Sequence, residues 1–342
     1  MDEGAFEQLV GGAREQTKVL PWPSVHGHVS KQDRKSRLRW GMAIVDHDAL
    51  RRRLGRVGVW GALALRPAAE ERRAAAELER LGYGAVWFGE GPGSKEAFTH
   101  AAILLGATQR IVVATGIANI YGRDATAMQN AALALADAHP GRFVLGLGIS
   151  HAPLVQARGH DYGQPVTEMR GYLDAMERVT YAPPPPPEPP ARVLAALRRR
   201  MLELARDRTD GAHPYLVTPD HTARARTVLG QGPILAPEQG MVLETEPARA
   251  RATARRHLAL YLTLPNYVNN FREMGFGDAD FADGGSDRLV DGLVAWGNVD
   301  AIVERIRRHH AAGADHVAIQ AVTPDPARAL EELQLLAPAL LT

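Results

Sequence analysis

Short apolar runs alternate with stretches of helical period along most of this chain, and the alternation limits its fold to few classes. In the first unit, RVGVWGAL at residues 56–63 leads to AEERRAAAELERLG at residues 69–82. Ala74, Leu78 and Leu81 of the second stretch fall on one helical face. Continuous apolar runs between helices predict a parallel sheet that is covered on both faces.

Eight apolar runs follow Arg56 when GMVLET is counted as the seventh. Eight such units close into a (β/α)8 barrel, which typically takes about 250 residues. A doubly wound open sheet is the alternative, but its fingerprint G-x-G-x-x-G is incomplete at GLGISH, since His151 stands where the third glycine belongs. The pattern therefore predicts a TIM barrel. The other runs are GAVWFG, RIVVATGIANI, RFVLGLGIS, RVLAAL, AHPYLVTP and HVAIQAV.

Two segments interrupt the alternation. Residues 181–190 read YAPPPPPEPP and are predicted to be a stiff extended spacer. Residues 246–297 exceed a simple crossover and carry helical patterns around the aromatic LPNYVNNF. An insertion after strand seven is expected on the C-terminal face of a barrel, where it can roof the active site.

The first part of the chain has a different composition. Residues 1–55 contain the basic run KQDRKSRLRW and the turn-rich PWPSVHGHVS, with no clear period. We expect a poorly ordered extension without a catalytic role. Alternatively, these residues lie upstream of the true start, because the protein could begin at Met42. The barrel is then expected to span residues 56–342.

Composition excludes several classes of function. Apolar residues make up 45% of the 342 residues and charged residues 23%, as in globular proteins, and a formal net charge of +1 argues against nucleic acid as a partner. The absence of cysteine excludes disulfides, thiolate zinc sites, iron–sulfur clusters and a cysteine nucleophile. No apolar run approaches the ~20 residues of a membrane span, and the N-terminus lacks a signal-peptide core. We expect a cytoplasmic protein that binds no membrane.

The carboxyl ends of the predicted strands are where such a barrel places its active site. Glycines and small residues predominate there, with one carboxylate at Glu90, one imidazole at His151 and several arginines at residues 198–200. Neither H-E-x-x-H nor a nucleophile elbow occurs, so neither a metal site nor a serine triad is predicted. A roomy, lightly functionalised site suits a large cofactor that brings its own chemistry.

Five segments resemble the luciferase-like monooxygenase superfamily, within it most closely the actinobacterial branch of F420-dependent oxidoreductases. They are GRVGVW, LGYGAVWFGEG, VATGIANIYGRDA, HPGRFVLGLGISH and TDGAHPYLVTP, and the likeness covers roughly residues 54–342. The resemblance implies the (β/α)8 barrel, a late insertion and a deazaflavin, F420, that lies across the strand ends and passes a hydride at C5. It further implies a small-molecule substrate and, because relatives are often dimers, a homodimer.

The resemblance also implies cofactor-binding positions. It places a non-proline cis peptide at Gly116–Ile117, behind the deazaflavin ring, and puts Asn119 near the ring edge unless that residue only caps the next helix. Gly146 and Gly148 are expected to keep strand four slim, so that its end can approach the ring. The residues expected to line the cofactor pocket at this strand end are Gly148, Ile149 and Ser150.

His151 is the first candidate for proton transfer. The matching position in some sugar-phosphate-oxidising relatives is a glutamate, and the ordinary imidazole pKa of about 6.5 suits the same task near neutral pH. A helix-capping or core histidine is the alternative. Glu90 is the second candidate, as acid/base or as the group that orients His151, although it could equally cap the following segment. Trp60 is either core or cofactor platform.

Strand five departs from the pattern of the relatives. They carry Gly-Pro-Lys or similar, where a helix N-terminus holds the cofactor phosphate. This chain reads AALRRRM, with Arg198, Arg199 and Arg200. The three guanidiniums, at least that of Arg199 and with it that of Arg198, could bind the phosphate bidentately, or part of the run could be a solvated helix face.

Three functions remain open. The leading hypothesis is an F420-dependent oxidoreductase that moves a hydride between deazaflavin C5 and an unidentified organic substrate, with His151 and Glu90 handling the proton. The second is an oxygen-using enzyme with reduced FMN from a partner reductase. The third is a barrel that has lost catalysis and acts as a binding protein, which the arginine run supports.

Overall fold

The structure, a computed structural model, describes residues 45–63, 66–323 and 325–341. Within these residues the strands are short and all pair in parallel in one sheet. They are β1 Val57–Trp60, β2 Ala85–Phe88, β3 Val112–Thr115, β4 Ala118–Asn119, β5 Phe143–Gly148, β6 Ala191–Leu194, β7 Gly211–Ala212, β8 Ile234–Leu235, β9 Glu238–Val242, β10 Val294–Trp296 and β11 Val317–Ala321.

Helices follow most of the strands. They are α1 His47–Leu54, α2 Ala68–Leu81, α3 Ala97–Leu105, α4 Ala125–Ala138, α5 Ala152–Gln156, α6 Pro165–Glu177, α7 Arg199–Arg208, α8 Pro219–Leu229, α9 Pro247–Leu258, α10 Pro265–Glu273, α11 Asp278–Phe281, α12 Asp287–Leu293, α13 Val299–Ala311 and α14 Pro326–Leu340, with 3-10 turns at Tyr261–Thr263 and Ala282–Gly284. In the described ranges, no helix combines the length and the apolar character that crossing a membrane requires.

The sheet closes into the predicted (β/α)8 barrel. β8 pairs with β7, and β9 continues the same strand after Ala236 and Pro237 and pairs with β11. β11 pairs in turn with β1, so the order returns to its start. β4 and β10 are additional: β4 pairs with β5 beyond the end of β3, and β10 pairs with β9.

The barrel interior contains polar aromatic groups as well as small apolar ones. Trp87 Nε1 donates a hydrogen bond to His316 Nε2 at 3.1 Å, and the ring of His213 stacks on Trp87 with centroids 4.3 Å apart. Gly58 makes room for these rings, because a Cβ there would lie 2.6 Å from His316 Nε2. The interior is therefore a packed layer below the C-terminal mouth.

Residues 45–55 were expected to belong to the extension, but the structure places α1 against the barrel. Leu50 and Leu54 pack into the interior cluster, and Arg51 Nε donates to Asp315 Oδ1 at 2.9 Å. The alternation of Leu50 and Leu54 with arginines gives the helix one apolar face, which explains why a basic segment packs here. The predicted boundary at residue 55 thus comes directly after α1, a helix that packs on the barrel. Residues 1–44, which include Met42, lie outside the described residues.

The two interruptions have the expected form. Residues 181–190 contain neither helix nor strand, and residues 246–297 form α9 to α12. Two strand predictions were wrong in their bounds. AHPYLVTP contributes only its first residue to β7, and the seventh strand begins at residue 234, earlier than GMVLET, with a break at Pro237. Apolar composition indicates burial, and these segments are buried without continuous strand pairing.

Candidate active site

The end of the third barrel strand forms a bulge. The Gly116–Ile117 peptide is cis, as the resemblance predicted. Glycines of β5 make room for this bulge: a Cβ on Gly146 would lie 1.9 Å from Thr115 O, and one on Gly148 would lie 2.4 Å from Ile117 Cγ1. The space beside both glycines is thus filled by the chain itself, and the approach of this strand end to a cofactor ring stays a prediction.

Glu90, at the end of the second strand, holds the bulge in place. Its carboxylate forms an ion pair with Arg123 and accepts a hydrogen bond from Asn119 N at 2.9 Å. Arg123 also donates to Glu96 Oε1 at 2.9 Å. Among the described residues no hydrogen bond joins Glu90 to His151, so the structure does not bring the two candidate catalytic groups together.

Asn119 lies in this bulge and is buried. Its Oδ1 accepts a hydrogen bond from Tyr121 N at 3.0 Å, which closes a local turn. The following helix, α4, is capped by Asp124, whose Oδ1 accepts from Ala127 N. The alternative that Asn119 caps that helix is therefore wrong, and its placement near a cofactor ring stays a prediction.

Ile149 and Ser150 follow β5. Ile149 is partly buried against the main core. Ser150 has a φ of +58°, in the left-handed region that is uncommon outside glycine. Its carbonyl accepts a hydrogen bond from Tyr162 Oη at 3.1 Å. Strained backbone of this kind is frequent at ligand sites.

His151 occupies the N-cap position of α5 and is half-buried. Its Nδ1 lies 3.2 Å from Asn266 Oδ1, and its ring packs near Tyr267 with centroids 5.5 Å apart. Because an amide oxygen only accepts, Nδ1 carries the proton in this assigned orientation and Nε2 has the lone pair. Burial lowers the pKa of His151 below 6.5, while the bond to Asn266 opposes that shift, so the ring is neutral at pH 7.

The insertion roofs the barrel mouth, as predicted. One face of α10 reaches the ends of two strands: Asn266 contacts His151, and the next residue, Tyr267, lies 6.2 Å from Tyr215 between ring centroids. After the end of α10, Met274 Sδ accepts from Thr218 Oγ1 at 3.7 Å. Helix α10 therefore crosses the mouth from the end of β5 to the segment that follows β7.

A chain of hydrogen bonds ties the roof to the barrel wall. Tyr215 Oη donates to Gln320 Oε1 at 2.8 Å, and the hydroxyls of Tyr215 and Tyr261 are 3.0 Å apart. Since Tyr215 uses its proton on the amide, Tyr261 donates to Tyr215. Burial raises the pKa of Tyr261 to about 12, so it remains protonated. Trp60 packs against Tyr215 with centroids 5.0 Å apart, which places it in the mouth.

Several polar atoms under the roof are buried without a hydrogen-bond partner in the part of the chain that the structure describes. Unpaired buried groups are rare in native proteins and cost about 1–3 kcal/mol each. Some of these atoms belong to residues of the barrel interior, the mouth and the roof helix, where a bound ligand would satisfy them. We call them the open polar atoms: Trp60 Nε1, His213 Nε2, Glu238 Oε1 and the side-chain amide of Asn270.

Two of the open polar atoms converge on the cis peptide. A Cβ placed on Gly116 would lie 2.8 Å from both Trp60 Nε1 and His213 Nε2. His213 Nδ1 donates to Ala236 O at 2.6 Å, so its Nε2 is an acceptor, and Trp60 Nε1 is a donor. The bulge thus faces one donor and one acceptor.

Sequence reasoning missed His213, Tyr215, Glu238, Asn270 and Gln320. For Glu238 a signal existed, because Ile234, Ala236 and Glu238 alternate with period two and the first two face the barrel interior. Pro237 hid it by suggesting a loop. Asn270 lies four residues after Asn266, the spacing of one helical face, but the sequence does not say which face is covered.

The arginine run begins α7. Arg198 is its N-cap and lies 3.9 Å from Glu273 of the roof helix, measured between Nη1 and Oε1. Arg199 Nε donates to Glu203 Oε1 at 2.9 Å, and the side chain is 81% exposed. Arg200 is also exposed. Arg198 thus faces the roof, whereas Arg199 lies on the solvated helix face.

Among the residues that the structure describes, no group of three histidine or acidic side chains could hold a metal ion.

Comparison with known proteins gives one family and a common fold. The model of the luciferase-like monooxygenase family matches residues 53–232. A Mycobacterium tuberculosis protein provisionally named coenzyme F420-dependent oxidoreductase is 32% identical over 124 residues, which is 36% of this chain. The matched region spans about a third, 35%, of that relative's length.

Two solved structures have the same fold. The coenzyme F420-dependent tetrahydromethanopterin reductase from Methanopyrus kandleri superposes with a TM-score of 0.65, 15% identity, and coverage of 83% of this chain and 99% of the other. The oxygenating constituent of 3,6-diketocamphane monooxygenase from Pseudomonas putida, in complex with FMN, has a TM-score of 0.64, 14% identity and coverage of 84% and 97%. Since the family model covers more than half of the sequence, the chain belongs to the luciferase-like monooxygenase family, a family of enzymes.

Proposed function

We propose that the chain is an oxidoreductase that binds coenzyme F420 across the carboxyl ends of its barrel strands and acts on a small organic substrate. The observation that carries the proposal is the set of open polar atoms beneath the roof, two of which lie next to the cis bulge. The likeness to proteins named for F420 points to this cofactor. When bound, F420 would supply a carbon, C5, that carries a hydride.

His151 would move the proton of the reaction. Its neutral ring keeps a proton on Nδ1, held by Asn266, and offers the Nε2 lone pair to a substrate hydroxyl. In the opposite direction the protonated ring would return that proton to a substrate oxygen. Glu90, which is paired with Arg123, would act by fixing the bulge rather than by exchanging protons.

The start of α7 is the proposed place for the cofactor phosphate. The N-terminus of this helix offers unpaired backbone N–H groups and a partial positive charge. Arg198, at the N-cap, faces the same region as the roof residue Glu273, whereas Arg199 is committed to Glu203 on the solvent side. We therefore assign the phosphate contact to Arg198 and not to Arg199, the arginine that the sequence analysis favoured.

The experiment is a tryptophan-fluorescence titration of the purified protein with F420 and, in parallel, with FMN. Trp60 lies in the mouth and reports binding. We expect saturable micromolar binding of F420, weaker binding of FMN, and a Kd for F420 raised about tenfold by Arg198→Ala, equivalent to about 1.4 kcal/mol. Arg199→Ala is the matched control and should leave the Kd within about twofold, as usual for an exposed arginine.

Other outcomes decide against this proposal. A preference for FMN would favour the oxygen-using branch with a partner reductase, which the likeness to the FMN-bound monooxygenase supports. Binding of neither cofactor would favour a barrel without catalysis. We also infer a cytoplasmic homodimer without membrane or nucleic-acid partners; light scattering should then give twice the chain mass of 37.1 kDa.

A further inference from the structure

Glu238 lies inside the barrel at the start of β9. Its neighbours in the same alternation, Ile234 and Ala236, belong to the interior cluster, and Glu238 pairs in register with Ala318 of β11, another interior residue. The side chain is fully buried. Interior positions of a closed barrel are normally apolar, so a carboxyl group here requires a partner or a function.

One carboxyl oxygen accepts a hydrogen bond, and the other has no partner among the described residues. Oε2 accepts a hydrogen bond from Leu216 N at 3.0 Å, at the end of the sixth strand, which turns the carboxyl group toward the mouth. Oε1 has no partner, and no ion pair involves Glu238 in the described ranges. A buried carboxylate without a cation is unfavourable, and burial raises the pKa of Glu238 to about 8.

The titratable groups around Glu238 are neutral at pH 7. Burial lowers the pKa of His213, of the strand-six segment, and of His316, of β11, to about 4 in each case. From the roof side, burial raises the pKa of Tyr215, Tyr261 and Tyr267 above 10. Among the described residues no neighbouring cation stabilises the carboxylate, and the raised pKa lets Glu238 change charge near pH 8.

We propose that Glu238 is a ligand-binding acid of the barrel mouth, whose Oε1 hydroxyl donates a hydrogen bond to a carbonyl or imide oxygen of the bound ligand. A neutral carboxylic acid in an apolar site is a strong donor to an oxygen that carries or develops negative charge. The other open polar atoms, Trp60 Nε1 and His213 Nε2, would contact the same ligand. The inference rests on the proposed function, because F420 is its first probe.

Two substitutions of Glu238 test its role as a hydrogen-bond donor separately from its ability to ionise. Glu238→Gln keeps the size and an N–H donor but cannot ionise, and Glu238→Met keeps the size without a donor. Glu332 of α14 provides the matched control: it is also buried with a raised pKa and an unpaired Oε2 within the described residues, but it belongs to an outer helix. The melting temperature of each variant checks that it folds.

The measurement is the Kd for F420 from pH 6 to pH 9.5. In the unchanged protein and in Glu332→Gln, we expect a constant Kd below about pH 7.5 and a rise of about tenfold per pH unit above pH 8. Glu238→Gln should abolish the rise while it keeps the Kd at pH 7 within about threefold, and Glu238→Met should raise that Kd about tenfold, the loss of one good hydrogen bond. A pH rise that persists in Glu238→Gln, or unchanged binding by Glu238→Met, would overturn the proposal.

A second readout does not depend on the Kd measurement and separates the two proposals. The infrared difference between the unchanged protein and Glu238→Gln should contain the C=O band of a protonated carboxyl group, lost near pH 8 and shifted by F420. If F420 does not bind but FMN shifts this band, the cofactor proposal fails and the role of Glu238 stands. If neither ligand shifts the band, the inference about Glu238 is wrong.

Discussion

Two effects decide the charge of the His151 imidazole. Burial favours the neutral ring, and the hydrogen bond from Nδ1 to Asn266 partly opposes burial by favouring the charged form. In the proposed reaction, proton exchange at Nε2 would therefore depend on Asn266, a roof residue that contacts the opposite nitrogen of the ring. Asn266 is a positioning residue in this arrangement.

This arrangement gives a first prediction. In NMR titrations His151 should have a pKa below 6.5, and Asn266→Leu should lower it further, because the substitution removes the interaction that raises it. Asn269→Leu, on the exposed side of the same helix, should leave the titration of His151 unchanged. A His151 pKa at or above 6.5 would show that the ring is not buried under the roof.

Asn270 gives a second prediction, because its amide is buried and unpaired in the described part of the chain. Asn270→Leu removes two unsatisfied polar atoms, so we expect the ligand-free protein to be unchanged or about 1–2 kcal/mol more stable. The same variant should bind F420 more weakly. Asn269→Leu is the exposed control and should change neither quantity. Loss of stability in Asn270→Leu would mean that the amide is satisfied inside the protein.

Among single residues, those in contiguous motifs were predictable and those that depend on packing were not. The cis bond at Gly116–Ile117 was implied by the family resemblance of the segment around it, and the position of His151 at a strand end follows from the apolar run before it. Glu238 and Asn270 have no local motif. Their chemistry arises because the barrel interior and the roof helix exclude water, and neither surface can be identified before the elements are packed.

At the scale of elements, the bulge after β3 packs closely against β5, and the glycines of β5 make this close packing possible. A methyl group on Gly148 would meet the side chain of Ile117 at 2.4 Å. We predict that Gly148→Ala destabilises the protein by about 1–3 kcal/mol, the usual cost of overpacking. Gly171, in the middle of α6 with open space around its α-carbon, is the control, and Gly171→Ala should stabilise by about 0.5–1 kcal/mol. Equal effects in urea denaturation would contradict this packing.

Helix α1 closes the lower end of the barrel and gives a fourth prediction. A chain that begins at Met42 should melt and bind F420 like the full chain, whereas one that begins at Arg56 should lose several kcal/mol. The loss arises because Leu50 and Leu54 no longer bury their side chains, at about 1.5–3 kcal/mol each. Equal melting temperatures of the two shortened chains would show that α1 does not contribute to the barrel.

The limits of sequence reasoning about elements have the same physical cause in each segment. The alternation of apolar runs predicted the strands that are long and continuous, such as β5, and the order that closes the barrel. It did not predict α1, where three arginines stand between two buried leucines, or the break at Pro237 that divides the seventh strand. Periodicity reports which side chains are buried, and pairing between strands is decided by backbone geometry that side-chain composition does not encode.

Several histidines of the described residues are buried around the barrel and are neutral at pH 7. Burial lowers the pKa of His213, His221, His257 and His316 to about 4 and that of His309 to about 3. In the unfolded chain each histidine titrates near 6.5, so the unfolded state binds more protons below that pH. Stability contributed by the neutral histidines is therefore present above pH 6.5 and lost as pH falls. Glu238 acts in the opposite direction, since its pKa is about 8 in the folded state and 4.5 in its reference state.

These opposing groups give the last prediction, a difference in the free energy of unfolding between pH 7.5 and pH 5.5. The five histidines lose about 1.4 kcal/mol each over this range, and Glu238 returns about 2.7 kcal/mol, which leaves a net loss of about 4 kcal/mol. Glu238→Gln removes the opposing group, so its loss should increase to about 7 kcal/mol. Urea denaturation at both pH values measures the two losses, and carboxylates with ordinary or lowered pKa values change little in this window. Equal losses in the two proteins would show that Glu238 is ionised at neutral pH, and a stability independent of pH would show that the histidines are accessible to protons in the folded barrel.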